Sequence, residues 1–209
     1  MLIFVTATDT DAGKTWVTAS AIRTLLKDGK NAKALKPVAC GFDAGGRNDD
    51  IDALLAAQNR HNPDDICLYQ FAKPSAPSQA AAEEGKQVDP QRLVAWCEEK
   101  SLGVDTTLIE GVGGLMVPIT DNWLVSDWIQ ATPDAEIWLV VACRLGAINQ
   151  ALLSLNQLKA MERSPGRIIF NATDKTGDAW VKPVIDAVTP FLPKTCTVHQ
   201  IYYGQQLTD

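Results

Sequence analysis

Histidine is scarce in this chain: His61 and His199 are the only two in 209 residues. That scarcity leaves no Ser-His-Asp or Cys-His set for nucleophilic catalysis, and both are read as surface or structural side chains. The five cysteines, Cys40, Cys67, Cys97, Cys143 and Cys196, are odd in number and none is spaced C-x-x-C. A disulfide framework and a zinc site are therefore not expected, and reduced thiols are. No apolar run approaches the ~20 residues that a membrane span needs; the longest, 137–143, reads as a buried strand. The start, Met1-Leu2-Ile3-Phe4-Val5, lacks the basic region of a signal peptide, so a cytoplasmic location is expected, with no membrane partner. Basic residues are also in deficit, 19 Lys and Arg against 25 Asp and Glu, for a net charge of −6. They are scattered along the chain, which argues against a nucleic-acid partner.

What the chain does have is ordinary globular composition, 46% hydrophobic and 21% charged. Short apolar runs alternate with amphipathic segments. Strands are expected at 2–6, 32–38, 106–110, 136–143, 167–171 and 196–202. Helices are expected at 14–27, 50–59, 90–100, 147–161 and 180–188, with Asp89 as the N-cap of the third. Gly29 is a plausible stop for the first helix. Two loops of low order are expected, the Gly-rich 40–48 and the Pro- and Ser-rich 72–78. Strand, helix and strand in repetition imply an α/β fold with a mainly parallel sheet and helices on both faces. Ligands of such sheets sit at the carboxyl ends of the strands. Without repeats or a linker, residues 1–209 are expected to form a single domain.

Chemistry does appear after strands. Residues 6–15 read Thr-Ala-Thr-Asp-Thr-Asp-Ala-Gly-Lys-Thr and open a helix. Backbone N–H groups at a helix N-terminus cradle phosphate, and the helix dipole adds to the attraction. Lys14 would reach the β- and γ-phosphates, and the Thr15 hydroxyl would ligand Mg2+. The standard loop has Gly where this chain has Thr8, so Gly13-Lys14-Thr15 gains its weight from its place between strand and helix.

Mg2+ on a triphosphate takes oxygen ligands from that hydroxyl and from one or two carboxylates. Glu110 ends a strand and is followed by Gly111, Gly113 and Gly114, which let backbone approach phosphate. Among Asp49, Asp50 and Asp52, at a helix start, metal binding competes with simple capping. Lys36 lies inside an apolar strand, where a lysine needs a partner such as phosphate or a carbamate.

Together the loop at 6–15, Lys36-Pro37-Val38-Ala39, Glu110-Gly111-x-Gly113-Gly114, Leu145-Gly146-x-Ile148-Asn149 and Asn171 resemble the dethiobiotin synthetase family. The resemblance runs in register over most of the chain. It implies a P-loop NTPase-like fold of about seven parallel strands and a homodimer whose substrate site is shared across the interface. The activity it implies is that of a ligase of biotin biosynthesis. ATP, Mg2+ and CO2 would close the ureido ring of 7,8-diaminononanoate, giving dethiobiotin, ADP and phosphate. The substrate amine would form a carbamate, whose oxygen attacks the γ-phosphorus; the second amine would then close the ring and expel phosphate.

The same resemblance assigns residues. Lys14, Lys36 and Thr10 would be catalytic. Asp11, Ala12, Gly13, Lys14, Thr15 and position 16, which is Trp16, would contact the nucleotide phosphates. Thr15, Asp50 and Glu110 would hold Mg2+, and Gly111, Gly113 and Gly114 would lie on the phosphate side. Cys40 and the run Gly146, Ala147, Ile148 and Asn149 would contact substrate, the latter from the neighbouring subunit. Asn171 would bond the adenine. The chain departs from the family at Ala7, usually Gly; at Cys40, usually Ser; and at Ser78, often His. Its last stretch, Gln200-Ile201-Tyr202-Tyr203-Gly204, replaces a Gly-x-Ile-Pro-like segment, which leaves base selectivity open. There Tyr202 or Tyr203 either stacks on the base or joins the core. A nucleotide-switched partitioning ATPase, acting as a binding module, is the alternative. Such proteins carry an extra Lys early in the loop, which is missing here.

Overall fold

A computed structural model describes residues 1–207; Thr208 and Asp209, the last two of the expected domain, lie outside the described residues. The elements in order are β1 (Leu2–Ala7), α1 (Lys14–Lys27), β2 (Ala32–Leu35), β3 (Val38–Cys40), α2 (Asp49–Ala57), β4 (Tyr69–Phe71), α3 (Pro77–Glu83), α4 (Pro90–Ser101) and β5 (Thr106–Glu110). Then follow β6 (Pro118–Thr120), β7 (Trp123–Leu124), α5 (Val125–Gln130), β8 (Glu136–Ala142), α6 (Ala147–Ala160), β9 (Pro165–Asn171), α7 (Asp178–Val188) and β10 (Thr197–Ile201).

The central sheet has six strands in the order β10-β9-β8-β1-β5-β2, all parallel. That is the six expected from the residues, and one fewer than the seven that the resemblance implied. The expected strand at 32–38 is broken. Pro37 has no N–H to give to a ladder. The Lys36 N–H instead bonds the Ile66 carbonyl, and the Pro37 carbonyl accepts from Leu68 and Tyr69. The chain thereby leaves the sheet, and β3 pairs with β4 in a separate two-stranded ribbon. Lys36 is left at the carboxyl edge of β2, level with Glu110 at the end of β5, because Leu35 pairs with Ile109.

Near-continuous apolar strands are what a sheet covered on both faces demands. Along β8, Val140 and Ala142 pack into one core cluster while Leu139 and Val141 pack into the other. This alternation follows from the two-residue period of a strand. On the first face, Phe4 meets Trp128 edge to face at 5.0 Å; burying each side chain contributes roughly 1.5–3 kcal/mol.

Most expected helices appear within two residues of their expected bounds. Asp89 caps α4, accepting from Gln91 and Arg92 with Pro90 in the first turn. Part of the expected 72–78 loop is instead the start of α3, whose first turn takes Pro77 without loss because N–H groups there have no helical partner. The short β4, β6, β7 and α5 have no sequence period long enough to read.

Candidate active site

The order of the strands puts β1 at the centre, between β5 and β8. Loops leaving β1, β2, β5 and β9 converge on a cavity of about 1090 Å³, at the upper end of roughly 300–1,000 Å³ for ligand sites. Its wall includes Thr10, Asp11, Gly13, Lys14, Thr15, Lys36, Asp50, Gly113 and Asn171.

The loop from β1 to α1 is held in an unusual backbone shape. Asp11 has φ 57° and Gly13 has φ 89°, both left-handed. Only glycine accepts the second, since a Cβ there would sit 2.1 Å from the Asn171 amide nitrogen. That nitrogen donates to the Ala12 carbonyl at 2.9 Å, so β9 braces the loop. Asp9 braces it from the other side, accepting from the Thr10 N–H at 2.8 Å, from Gln150 at 3.1 Å and from the Arg144 guanidinium.

Beneath the loop lies a cluster of charges. The Thr15 hydroxyl is 2.7 Å from Asp50 Oδ1 and 2.6 Å from Glu110 Oε1, and donates its one proton to either. Lys36 Nζ donates to Glu110 Oε1 at 2.6 Å and pairs with Asp50 Oδ2 at 3.1 Å. Glu110 is fully buried, whereas the Asp50 side chain is 49% exposed. Burial opposes the Lys36 charge, yet Glu110 and Asp50 outweigh it and hold the ammonium above the usual range. Burial likewise opposes the Asp50 charge, but Lys36, the Thr15 hydroxyl and Lys14 together keep its carboxyl below the usual range. Among the described residues, Lys14 has no carboxylate in ion-pair contact, and its ammonium donates to the Asp9 carbonyl at 3.5 Å. Burial, reinforced by Lys36, pulls its ammonium down to about 8, against Glu110, Asp50 and Asp11.

The residues fit a divalent cation. Thr15, Asp50 and Glu110 offer hard oxygen donors, and Glu110 Oε2 is buried with no partner among the described residues. No group of three or more His, Cys, Asp and Glu occurs among those residues, so phosphate oxygens would have to complete the shell. Of the three neighbouring acids, Asp50 alone turns to this cluster. Asp52 pairs with Arg47, and Asn48 is the cap of α2, accepting from Ile51.

Other expected site residues are distributed unevenly. Trp16 and Cys40 line the cavity. Burial pushes the Cys40 thiol up to about 11, against the pull of Lys36, so it meets a ligand as a neutral thiol. Ala12 is buried behind the loop. Gly113 lines the cavity, but Gly111 packs on Phe4 and Gly114 on the Thr8 and Asp9 backbone. Gly146, Ile148 and Asn149 are exposed at the start of α6, Ala147 is buried there, and none of the four lines the cavity. Sequence reasoning missed Pro74, Ala76 and Pro77, which wall one side, and Ala172 and Thr173 near Asn171. The Pro-rich composition of 72–78 was a signal for the first group; nothing marked the second.

The chain is 36% identical to an ATP-dependent dethiobiotin synthetase BioD of Acidiphilium cryptum over 80% of this chain and 78% of that one. It is 37% identical to the protein of the same name from Aromatoleum aromaticum, over 82% and 77%. The chain belongs to the dethiobiotin synthetase family. A family model described as an AAA domain matches residues 2–198. Among solved structures, the MinD cell division protein of Aquifex aeolicus superposes with a TM-score of 0.53 at 18% identity, covering 90% of this chain and 78% of that one. At that identity it shares the P-loop NTPase fold alone. Family membership and the buried Lys36–Glu110 pair therefore come from independent observations.

Proposed function

We propose that this chain is an ATP-dependent dethiobiotin synthetase. It closes the ureido ring of 7,8-diaminononanoate with CO2 and ATP, and releases ADP and phosphate. The observation that carries this reading is the arrangement of Lys14, Thr15, Lys36 and Asp50 along one cavity, with Glu110 buried behind them, in a chain whose relatives bear that name. Phosphoryl transfer needs positioning and charge neutralisation more than a covalent nucleophile, and this site offers no nucleophile in an activated pair.

In this reading Lys14 neutralises charge on the β- and γ-phosphates, since it alone of the two lysines is unpaired with a carboxylate. Lys36, pinned by Glu110 and Asp50, presents a fixed positive charge to the carbamate. Thr10 and Asp11 border the path between them. Thr15, Asp50 and Glu110 would hold Mg2+, which supplies charge neutralisation at the phosphate oxygens when bound.

The substrate partners are small molecules. A homodimer with a shared site is part of the reading: Leu145 is 81% exposed and Ile148 38% exposed, beside the Gly146–Asn149 turn that the cavity does not reach. Sedimentation at micromolar concentration should give a dimer, and a monomer would remove the shared site. We also infer one domain, because both core clusters rest on one sheet. A cytoplasmic setting belongs to the same reading, and five free cysteines are compatible with it. No helix among the described residues is long and apolar enough to cross a membrane.

The test is direct. Protein incubated with 7,8-diaminononanoate, 13C-bicarbonate, Mg2+ and ATP should yield dethiobiotin carrying one 13C by mass spectrometry. Hydrolysis of ATP without product would overturn the enzyme reading in favour of a nucleotide switch.

A further inference from the structure

The cavity has a second end with a different character. Its charged lining residues, Asp11, Lys14, Lys36 and Asp50, gather around the phosphate loop and its metal cluster. Beyond Asn171 the lining is Trp16, Ala172, Thr173, Tyr203 and Gly204, with no charge. Trp16 follows Thr15 directly on the first turn of α1, yet it is 42% exposed, and Tyr203 is 50% exposed. Among the described residues, two large rings are thus left half-open inside a concave site.

The Trp16 ring and the Tyr203 backbone are held in place. The Trp16 indole N–H donates to the Gln205 carbonyl at 2.7 Å. The Tyr203 N–H donates to Asp178 Oδ1 at 2.7 Å. One turn further along α1, the buried Ser20 hydroxyl accepts from the Leu207 N–H at 2.9 Å. The segment after β10 is thus tied back across α1, and Trp16 is one of its anchor points. Tyr202, by contrast, packs into the core cluster on the second face of the sheet. Meanwhile one Asn171 amide N–H is given to the Ala12 carbonyl, and the residue is only 3% exposed. No charged side chain lines this end, and Asn171 offers a base edge no more than a largely buried carboxamide.

We propose that Trp16 and Tyr203 form the nucleobase platform, and that the base is held by stacking on their faces more than by hydrogen bonds to its edge. Stacking is tolerant because every base has a π-face. The site therefore accepts purine and pyrimidine triphosphates with similar affinity. This rests on the reading of Lys14 and Thr15 as the triphosphate site, which fixes where the base must fall.

Calorimetric titration of the full chain with ATP, GTP, CTP, UTP and inorganic tripolyphosphate, each with Mg2+, separates the two claims. The four nucleotides should bind within about tenfold of one another. Trp16→Ala should weaken all four by about five- to a hundredfold and leave tripolyphosphate unchanged. Tyr203→Ala should do the same to a lesser degree, and Trp16→Phe should retain most of the affinity. Should Trp16→Ala fail to fold, the other two variants carry the test, since Tyr203 sits on an exposed turn. Nucleotide affinities untouched by Trp16→Ala or Tyr203→Ala would overturn the platform. So would ATP binding more than a hundredfold tighter than the other three, which would mean edge recognition. A wild-type chain that binds none of the five probes would instead overturn the triphosphate reading itself.

Discussion

At the metal end of the cavity, Lys36, Asp50, Glu110 and Thr15 bind one another at 2.6 to 3.1 Å. At the base end, Trp16 and Tyr203 keep their rings open, and the bonds that fix them run from a backbone N–H and an indole N–H. The first arrangement is electrostatic preorganisation: charge is set where charge will develop, and little reorganises during reaction. The second is a surface that tolerates what lands on it. Removing a part from the first should leave a buried charge uncompensated; removing a part from the second should cost only the contact itself.

The largest effect that would break this contrast concerns turnover. Lys14→Ala should lower kcat/KM for dethiobiotin formation by about a thousandfold or more, the scale of losing a preorganised charge on a transferring phosphoryl group. Activity within tenfold of wild type would take Lys14 out of the mechanism. Next in size is stability. Glu110→Gln leaves the buried Lys36 with only the half-exposed Asp50 as countercharge, and breaking a buried pair costs up to about 3–5 kcal/mol. Asp50→Asn, at a half-exposed partner, should cost less than about 1 kcal/mol. Denaturant unfolding of the two variants side by side checks the difference, and equal losses would show that burial does not set it.

Gly13→Ala comes third. Its Cβ collides with Asn171, and its φ of 89° disfavours any side chain; a cost of about 1–3 kcal/mol is expected. Adding Asn171→Ala removes the collision but not the strain, so the double variant should be more stable than the sum of the two single losses predicts. Strict additivity would mean that Asn171 does not brace the loop. The smallest effect belongs to Cys40→Ser. A neutral thiol replaced by a hydroxyl should change KM for the diamine by no more than about fivefold, the size of one net hydrogen bond.

The two ends also differ in how far the residues announce them. Lys14, Thr15, Lys36 and Glu110 stand at the ends of readable apolar strands or at a helix start, so the topology of a parallel sheet gathers them without further information. Asp50 could be told from Asp49 and Asp52 only in three dimensions, where the turn of α2 aims one of three adjacent carboxylates at Lys36. Strands β1, β5, β8 and β9 were readable as mostly buried runs; the edge strand β10 is exposed along most of its length and buries only Ile201. The break at Pro37 was not anticipated, although a missing N–H could have signalled it. At the base end, nothing in the spacing of Trp16 and Tyr203 relates them. They line one cavity because the segment after β10 is tied across α1, by the Trp16 indole bonding the Gln205 carbonyl and the Leu207 N–H bonding the Ser20 hydroxyl, pairings that carry no sequence signature. Gly146–Asn149 is the reverse case: a recognisable motif that folds into the start of α6 and does not line this cavity.

The central claim is that the metal-end cluster transfers the γ-phosphoryl group to an oxygen that came from CO2. Bicarbonate labelled with 18O, added to a single rapid turnover in unlabelled water, tests it through the mass of the released phosphate. The attacking carbamate oxygen forms a bond to phosphorus, and ring closure then breaks that oxygen's bond to carbon. Phosphate carrying one 18O, formed together with dethiobiotin, is the predicted result. Unlabelled phosphate at the same yield of dethiobiotin would contradict it.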